Sequence, residues 1–254
     1  MRIVRVSVPD LDHPVFGILS GDQVNLLRGH PYGELDPSGI TVELDKVKLL
    51  SPVLPSKVVC VGKNYADHAA EMGGEVPVEP VIFIKPSTTV IGDEATIVLP
   101  PQSKNVHHEV ELAIVISHLC KDVAVERASE VILGYTIAND VTARDLQHSD
   151  GQWTRAKSFD TFCPLGPWIE TELDPTNLNL SCEVNDVVRQ SGNTHDLVRS
   201  SHEMVAFISS VMTLLPGDVI LTGTPAGVGP IVAGDTVTCT IEGIGTLSNS
   251  VAAR

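Results

Sequence analysis

Basic residues are scarce in this chain of 254 residues: Lys and Arg number 17 against 32 Asp and Glu, a formal net charge of −15. The deficit argues against nucleic acid and anionic membrane as partners, since both are bound through basic surfaces. It leaves room for a small anionic ligand, because a few buried Arg or Lys, or a bound cation, reverse the field locally. Paired cysteine motifs are missing as well. The five cysteines, at 60, 120, 163, 182 and 239, are odd in number and none sits at C-x-x-C spacing. Neither a disulfide framework nor a zinc site is expected from them, and buried free thiols in a reducing cytosol are. No run of about 18 apolar residues occurs, so no transmembrane helix is expected. The first twelve residues alternate like a strand and lack the continuous apolar core of a signal peptide. The chain therefore reads as cytoplasmic. Internal repeats, low-complexity tracts and long charge runs are absent too.

What is present suits one large domain, or one domain with a small appendage. The hydrophobic content of 43% is ordinary, and a chain of this length buries roughly 70–75% of its unfolded surface. Residues 1–52 read as a small β-rich unit: Arg2 to Val8 alternates, and Val15 to Leu19 and Val24 to Leu27 flank a Gly21-Asp22 hairpin turn. Prolines 52 and 55 make residues 51–56 a linker. From Lys57 to the C-terminus short strands dominate: Lys57–Val61, Val81–Lys85, Val110–Ile116, Gly134–Asn139, Leu178–Val184, Val219–Thr222, Val237–Ile241 and Thr246–Val251. Helices are expected over Val125–Leu133 and Ser201–Leu215. The second has capping-box spacing at Ser200 and Glu203, an apolar stripe of Met204, Phe207, Ile208, Val211, Met212 and Leu215, and a Pro-Gly-Asp stop at 216–218. Many strands with few inserted helices indicate an α+β fold that is predominantly β.

The most informative stretch runs from His107 to Ile116. In a strand, Glu109, Glu111 and Ala113 share one face, while Val110, Leu112, Ile114 and Ile116 share the other and form core. Two glutamates at i, i+2 beside a core strand repel unless a cation lies between them. All-oxygen ligation suits a hard ion such as Mg²⁺ or Mn²⁺. Asp140, at the end of an apolar strand and before the turn of Thr142 to Gln147, is the best third ligand. His107 and His108 face opposite ways and read as surface or core histidines. Spacing alone leaves the pair of glutamates open to a second reading, an ordinary exposed strand face.

Several blocks, in order, resemble the fumarylacetoacetate hydrolase family: Gly62-Lys-Asn-Tyr-Ala-Asp-His68 with Glu71, Phe83-Ile-Lys-Pro86, Glu109-Val-Glu-Leu-Ala113, Asn139 to Asp145, Ala156 to Asp160, Leu221 to Gly229 and Ile241 to Gly245. The resemblance covers residues 57–254, and residues 1–52 add little to it. It implies a mixed, mainly β sandwich roll as catalytic domain, a bound Mg²⁺ or Mn²⁺, a homodimer and a 2-oxo or 2,4-dioxo acid as substrate. It implies that Glu109, Glu111 and Asp140 are the metal ligands, and that His68 and Glu71 form a water-activating dyad in a segment that orders over the substrate. Glu75 lies beside Gly73 and Gly74, which suit a mobile lid.

A 2-oxo acid can chelate such a cation through its carboxylate and keto oxygen, which stabilises an enolate. Lys157 is the expected partner for substrate or enolate charge. Arg144 and Gln147, at i, i+3, share a helix face one turn past Asp140 and are expected to orient the substrate. The backbone at Gly223 and Thr224 could hold a carboxylate. The same loop lacks a Walker-A lysine, which excludes a nucleotide site of that kind. Tyr65 and Lys85 are expected to touch the substrate or support the residues that do. The leading expectation is oxaloacetate decarboxylation or acylpyruvate hydrolysis with release of pyruvate. An isomerase or decarboxylase acting on a hydroxyhepta-dienedioate of aromatic breakdown is the alternative. A structural cation in a binding module would need full protein ligation and would leave Lys157 and Arg144 unexplained.

Overall fold

A computed structural model describes residues 1–9 and 11–254. The chain begins with strands β1 (Arg2–Ser7), β2 (Val15–Ser20), β3 (Gln23–Leu27), β4 (Pro37–Glu43) and β5 (Lys48–Leu50). Next come β6 (Lys57–Gly62), helix α1 (Ala66–Glu71), β7 (Val81–Pro86), β8 (Val90–Ile91), β9 (Ile97–Leu99), β10 (Val106–His108) and β11 (Val110–Ile116). The middle of the chain supplies β12 (Ile132–Asn139), β13 (Thr142–Ala143), α2 (Arg144–Asp150), α3 (Thr154–Lys157) and β14 (Cys163–Glu170). The last third supplies β15 (Asn179–Val184), β16 (Val187–Asn193), α4 (Ser201–Val211), β17 (Val219–Leu221), β18 (Gly229–Pro230), β19 (Thr236–Ile241) and β20 (Gly245–Ala253).

The described residues form three sheets, so the expectation of a predominantly β fold holds. The largest runs β4-β3-β2-β1-β14-β12-β11-β17-β6-β7, with β5 also on β1 and β8 also on β14. A five-stranded sheet runs β16-β15-β19-β20-β9, and a small one runs β13-β10-β18. Strand β11 is buried along its whole length, as expected of a near-continuous apolar run covered on both faces. Leu112, Ile114 and Ile116 pack with Leu180, Cys182, Met204 and Ile208. Ala113 and Val115, on the other face, pack with Val58, Cys60 and Leu221. Burial of each such large side chain contributes about 1.5–3 kcal/mol before entropy is counted.

The first strand joins this sheet directly. Arg2 and Ile3 of β1 pair with Glu170 and Ile169 of β14, and the Met1 ammonium donates to Glu170 at 2.7 Å. Its own core is Val4, Val6, Leu19, Val24 and Leu26. Gly21 turns between β2 and β3 at φ +55°, where a side chain would be strained. Ser51 and Val53 of the proline-bearing connection are buried rather than swinging free.

Some elements differ from the pattern in the sequence. Strand β14 was not expected, because Pro164 and Pro167 break its pattern. The sheet accommodates it through a register irregularity against β12 between Tyr135 and Ile137. Residues Val125–Val131 form 3₁₀ turns rather than an α-helix, and Ile132 and Leu133 belong to β12. The capping box at Ser200 and Glu203 is present, but α4 ends at Val211 because Met212 is extended. The buried stripe is therefore Met204, Val205 and Ile208, while Val211 and Leu215 are 53% and 37% exposed. All five cysteines are buried and free. No helix of the described residues is long and apolar enough to cross a membrane.

Candidate active site

Pairing of β11 with β12 brings the carboxylates together. Val110 faces Asn139 and Glu111 faces Ala138 in register. The Asp140 N–H donates to the Glu109 carbonyl at 2.8 Å, and the Glu109 N–H donates to Asn139 Oδ1 at 2.9 Å. Glu109, Glu111 and Asp140 are all buried, and each offers a carboxylate oxygen within 4.8 Å of the others. At that spacing each like-charged pair repels by roughly 3–4 kcal/mol at an effective dielectric near 20. Something must offset the repulsion.

Three buried cations do part of it. Lys157 Nζ donates to Glu109 at 2.8 Å and to Asp140 at 2.6 Å. The Arg144 guanidinium pairs with Glu109 and donates to Gln147 Oε1 at 2.6 Å. Lys85 pairs with Asp140 and donates to the Val141 carbonyl at 3.2 Å. Burial pushes the Glu109 carboxyl up, but Lys157 and Arg144 outweigh it and hold the group below the usual carboxylate range. Burial likewise depresses the Lys157 ammonium, and Asp140 and Glu109 more than reverse this.

Glu111 is different. Its carboxylate accepts the Gly223 N–H at 2.6 Å and has no cationic side chain within salt-bridge distance among the described residues. Burial, then Asp140 and Glu109, push its carboxyl well above the ordinary range. A buried all-oxygen set with one uncompensated member fits a hard divalent cation such as Mg²⁺ or Mn²⁺.

The cluster floors a cavity with about 690 Å³ of empty space, lined also by Gly62, Lys63, His68, Met72, Phe83, Gln147, His148, Trp153 and Thr224. His68 Nδ1 meets Glu71 Oε2 at 3.1 Å, and Glu71 Oε1 accepts the Gly227 N–H at 3.0 Å. The carboxylate thus holds the imidazole in one orientation and ties α1 to the loop after β17. The opposite wall is aromatic. Phe83 and Trp153 pack edge to face at 5.2 Å, and the Lys157 ammonium lies 4.9 Å from the Phe83 ring centre. Gly62 is required beneath Trp153, since a Cβ there would stand 2.6 Å from the indole.

Of the residues expected from the sequence, Glu109, Glu111, Asp140, His68, Lys157, Arg144, Gln147 and Thr224 all line this cavity. Glu71 stands behind His68. Lys85 is fully buried, where it pairs with Asp140 and does not line the cavity. Tyr65 is buried and does not line the cavity. Burial, then the Glu111 charge, push its phenol up. The Gly223 N–H does bind a carboxylate, but that of Glu111. Neither His107 nor His108 lines the cavity. Lys63, Met72, His148 and Trp153 were missed as cavity residues, although Lys63 stands inside the first quoted block.

The family profile described as fumarylacetoacetate (FAA) hydrolase C-terminal matches residues 57–252, and one described as Rv2993c-like, N-terminal matches residues 1–52. The chain belongs to the fumarylacetoacetate hydrolase family. The solved 5-carboxymethyl-2-hydroxymuconate delta-isomerase of Mycobacterium smegmatis superposes with a TM-score of 0.94 at 53% identity, over all of both chains. The mitochondrial oxaloacetate tautomerase Fahd2a of Rattus norvegicus is 40% identical over 99% of this chain and 91% of its own length. The maleylpyruvate hydrolase of Sphingobium sp. SYK-6, solved with manganese(II) and pyruvate, superposes with a TM-score of 0.82 at 32% identity, over 100% of this chain and 99% of that one. Members of the family thus include isomerases, hydrolases and tautomerases.

Proposed function

We propose that this chain is a divalent-cation-dependent enzyme that forms and discharges the enolate of a 2-oxo or 2,4-dioxo acid. Its leading reaction is C–C cleavage of oxaloacetate or an acylpyruvate with release of pyruvate. The observation that carries the reading is the buried set of Glu109, Glu111 and Asp140, its oxygens within 4.8 Å, at the floor of an open cavity. A cation held by these carboxylates, Mg²⁺ or Mn²⁺, supplies Lewis-acid stabilisation of enolate charge.

The protein's own residues do the rest. Arg144 and Gln147 bind and orient the substrate carboxylate. Lys157 offsets negative charge as it develops. In decarboxylation the bond between carbons 3 and 4 breaks, CO₂ departs, and its electron pair enters the enolate, which takes a proton at carbon 3. In acylpyruvate hydrolysis His68, held by Glu71, accepts a proton from water as it attacks the distal carbonyl. The acyl–carbon bond then breaks, and the pyruvate enolate leaves and is protonated. Phe83 and Trp153 exclude bulk water from that side.

The names of the rat and M. smegmatis relatives favour a second reading, tautomerisation of oxaloacetate or isomerisation of a dienedioate. Here His68 moves a proton between carbon and oxygen and no C–C bond breaks. The proposal also includes a homodimer; the edge strand β7, with Val81 and Ile84 at 38% and 43% exposure, supports it. A panel of oxaloacetate, acetylpyruvate, fumarylpyruvate and a hydroxy-dienedioate, compared by kcat/KM, separates the readings. Turnover is expected to vanish with EDTA and return with Mg²⁺ or Mn²⁺. Activity indifferent to chelation would sink the cation-dependent mechanism.

A further inference from the structure

Three buried cations, Lys85, Arg144 and Lys157, stand in the floor, paired with Asp140 and Glu109 but not with Glu111. One more cation lines the same cavity without a partner. Lys63 is half-buried in its wall and has no carboxylate within 4.0 Å among the described residues. Its backbone is left-handed, at φ +59°. For a side chain with a Cβ that conformation costs on the order of 1–2 kcal/mol, and such strain persists where the surroundings hold a side chain in place. Its ammonium lies against Gly74, where a Cβ would stand 2.9 Å from Lys63 Nζ.

The cavity has two chemically distinct parts. The floor carries the carboxylate cluster with its three cations and suits the 2-oxo acid head. The Phe83–Trp153 wall, with Met72 nearby, suits the carbon skeleton. Lys63 follows Gly62, on which Trp153 lies, its ammonium lies against Gly74, and it adds one positive charge to the lining of the same cavity. A divalent cation together with one substrate carboxylate leaves the cavity net positive, and Lys63 raises that excess. A second carboxylate on the substrate would reduce it and give the three N–H donors of Lys63 an acceptor.

We propose that Lys63 is a specificity-determining residue that receives the distal carboxylate of a dicarboxylic 2-oxo acid. The inference rests on the 2-oxo acid reading of the site. It assigns selection between diacid and monoacid to one side chain outside the carboxylate cluster.

The test is calorimetric binding, with Mn²⁺ present, of two probes of equal chain length. These are 2-oxoglutarate and 2-oxopentanoate, which differ only in the distal carboxylate. The native protein is expected to prefer 2-oxoglutarate by about 10- to 100-fold, the value of one charge-assisted hydrogen bond. Lys63→Met should erase that preference with little change for 2-oxopentanoate, and Lys63→Arg should keep most of it. Equal binding of both probes by the native protein, or a Lys63→Met loss shared by both, would overturn the role of Lys63 while leaving the 2-oxo acid reading intact. A native protein that binds neither probe removes that reading and the inference with it.

Discussion

The two faces of the stretch from His107 to Ile116 handle buried polar groups in opposite ways. On one face Glu109 is held as a carboxylate by Lys157 and Arg144, Glu111 has only the Gly223 N–H, and both open onto a cavity. On the other face His108 is fully buried and its Nδ1 lies 2.9 Å from Gln190 Oε1. The same oxygen accepts the Val110 N–H at 3.1 Å. Gln190 Nε2 donates to Thr224 Oγ at 2.7 Å and to the Pro225 carbonyl at 2.8 Å. The His108 face does not open onto that cavity; its glutamine is satisfied, while His108 Nε2 has no hydrogen-bond partner. The carboxylate face has one carboxyl without a cationic partner and space above it. Buried polar groups that pair internally can specify a register, whereas buried charge is costly and clusters at sites that bind or react.

The largest effect that could break this contrast is expected at Glu111. Glu111→Gln should weaken Mn²⁺ binding, read by calorimetry, by on the order of 100-fold or more, since even residues that only support metal ligands are worth 10- to 100-fold. Unchanged Mn²⁺ affinity would refute the ligand assignment. The same variant has a pH signature. The Glu111 carboxyl lies well above the usual range in the folded protein, so between about 4.3, its unfolded value, and its folded value the folded state holds the extra proton. Stability of the metal-free protein should therefore fall as pH rises through that window, and Glu111→Gln should flatten the fall. Mn²⁺ binding should release a proton and weaken as pH drops.

His68→Ala should come next. It is expected to lower acylpyruvate hydrolysis by about 10²- to 10⁴-fold, the usual value of a positioned base, and oxaloacetate decarboxylation much less. Equal losses would erase the division between the cation cluster and the dyad. The smallest effect is expected on the His108 face. Gln190→Leu orphans the Val110 N–H and should cost about 1–3 kcal/mol, seen as a Tm lower by several degrees, with Mn²⁺ affinity changed far less than by Glu111→Gln. A Mn²⁺ loss matching that of Glu111→Gln would show that the two faces are one unit.

The carboxylate cluster was legible because strand alternation is local. Glu109 and Glu111 share a face whatever else the chain does, and Asp140 ends an apolar strand. The capping box at Ser200 and the turn at Gly21 are equally local, and the structure has both. Strand β14 was hidden by its prolines, and the end of α4 by an apolar pattern that runs past Met212. Partners were hidden by distance along the chain. Lys85 meets Asp140 across 55 positions, and the Gly223 N–H reaches Glu111 across 112. Tyr65 and Lys85 sit in recognisable blocks, yet only packing puts them behind the cavity wall.

Residue order alone was enough to name the chemistry of the floor, because charge, alternation and strand ends are properties of short segments. Which carboxylate would be left without a cation depended on where three distant basic side chains came to rest. The division of the cavity into a charged floor, an aromatic wall and a lone ammonium was likewise settled by folding. Ion pairs and cavities are relations between segments that meet only when the sheets close.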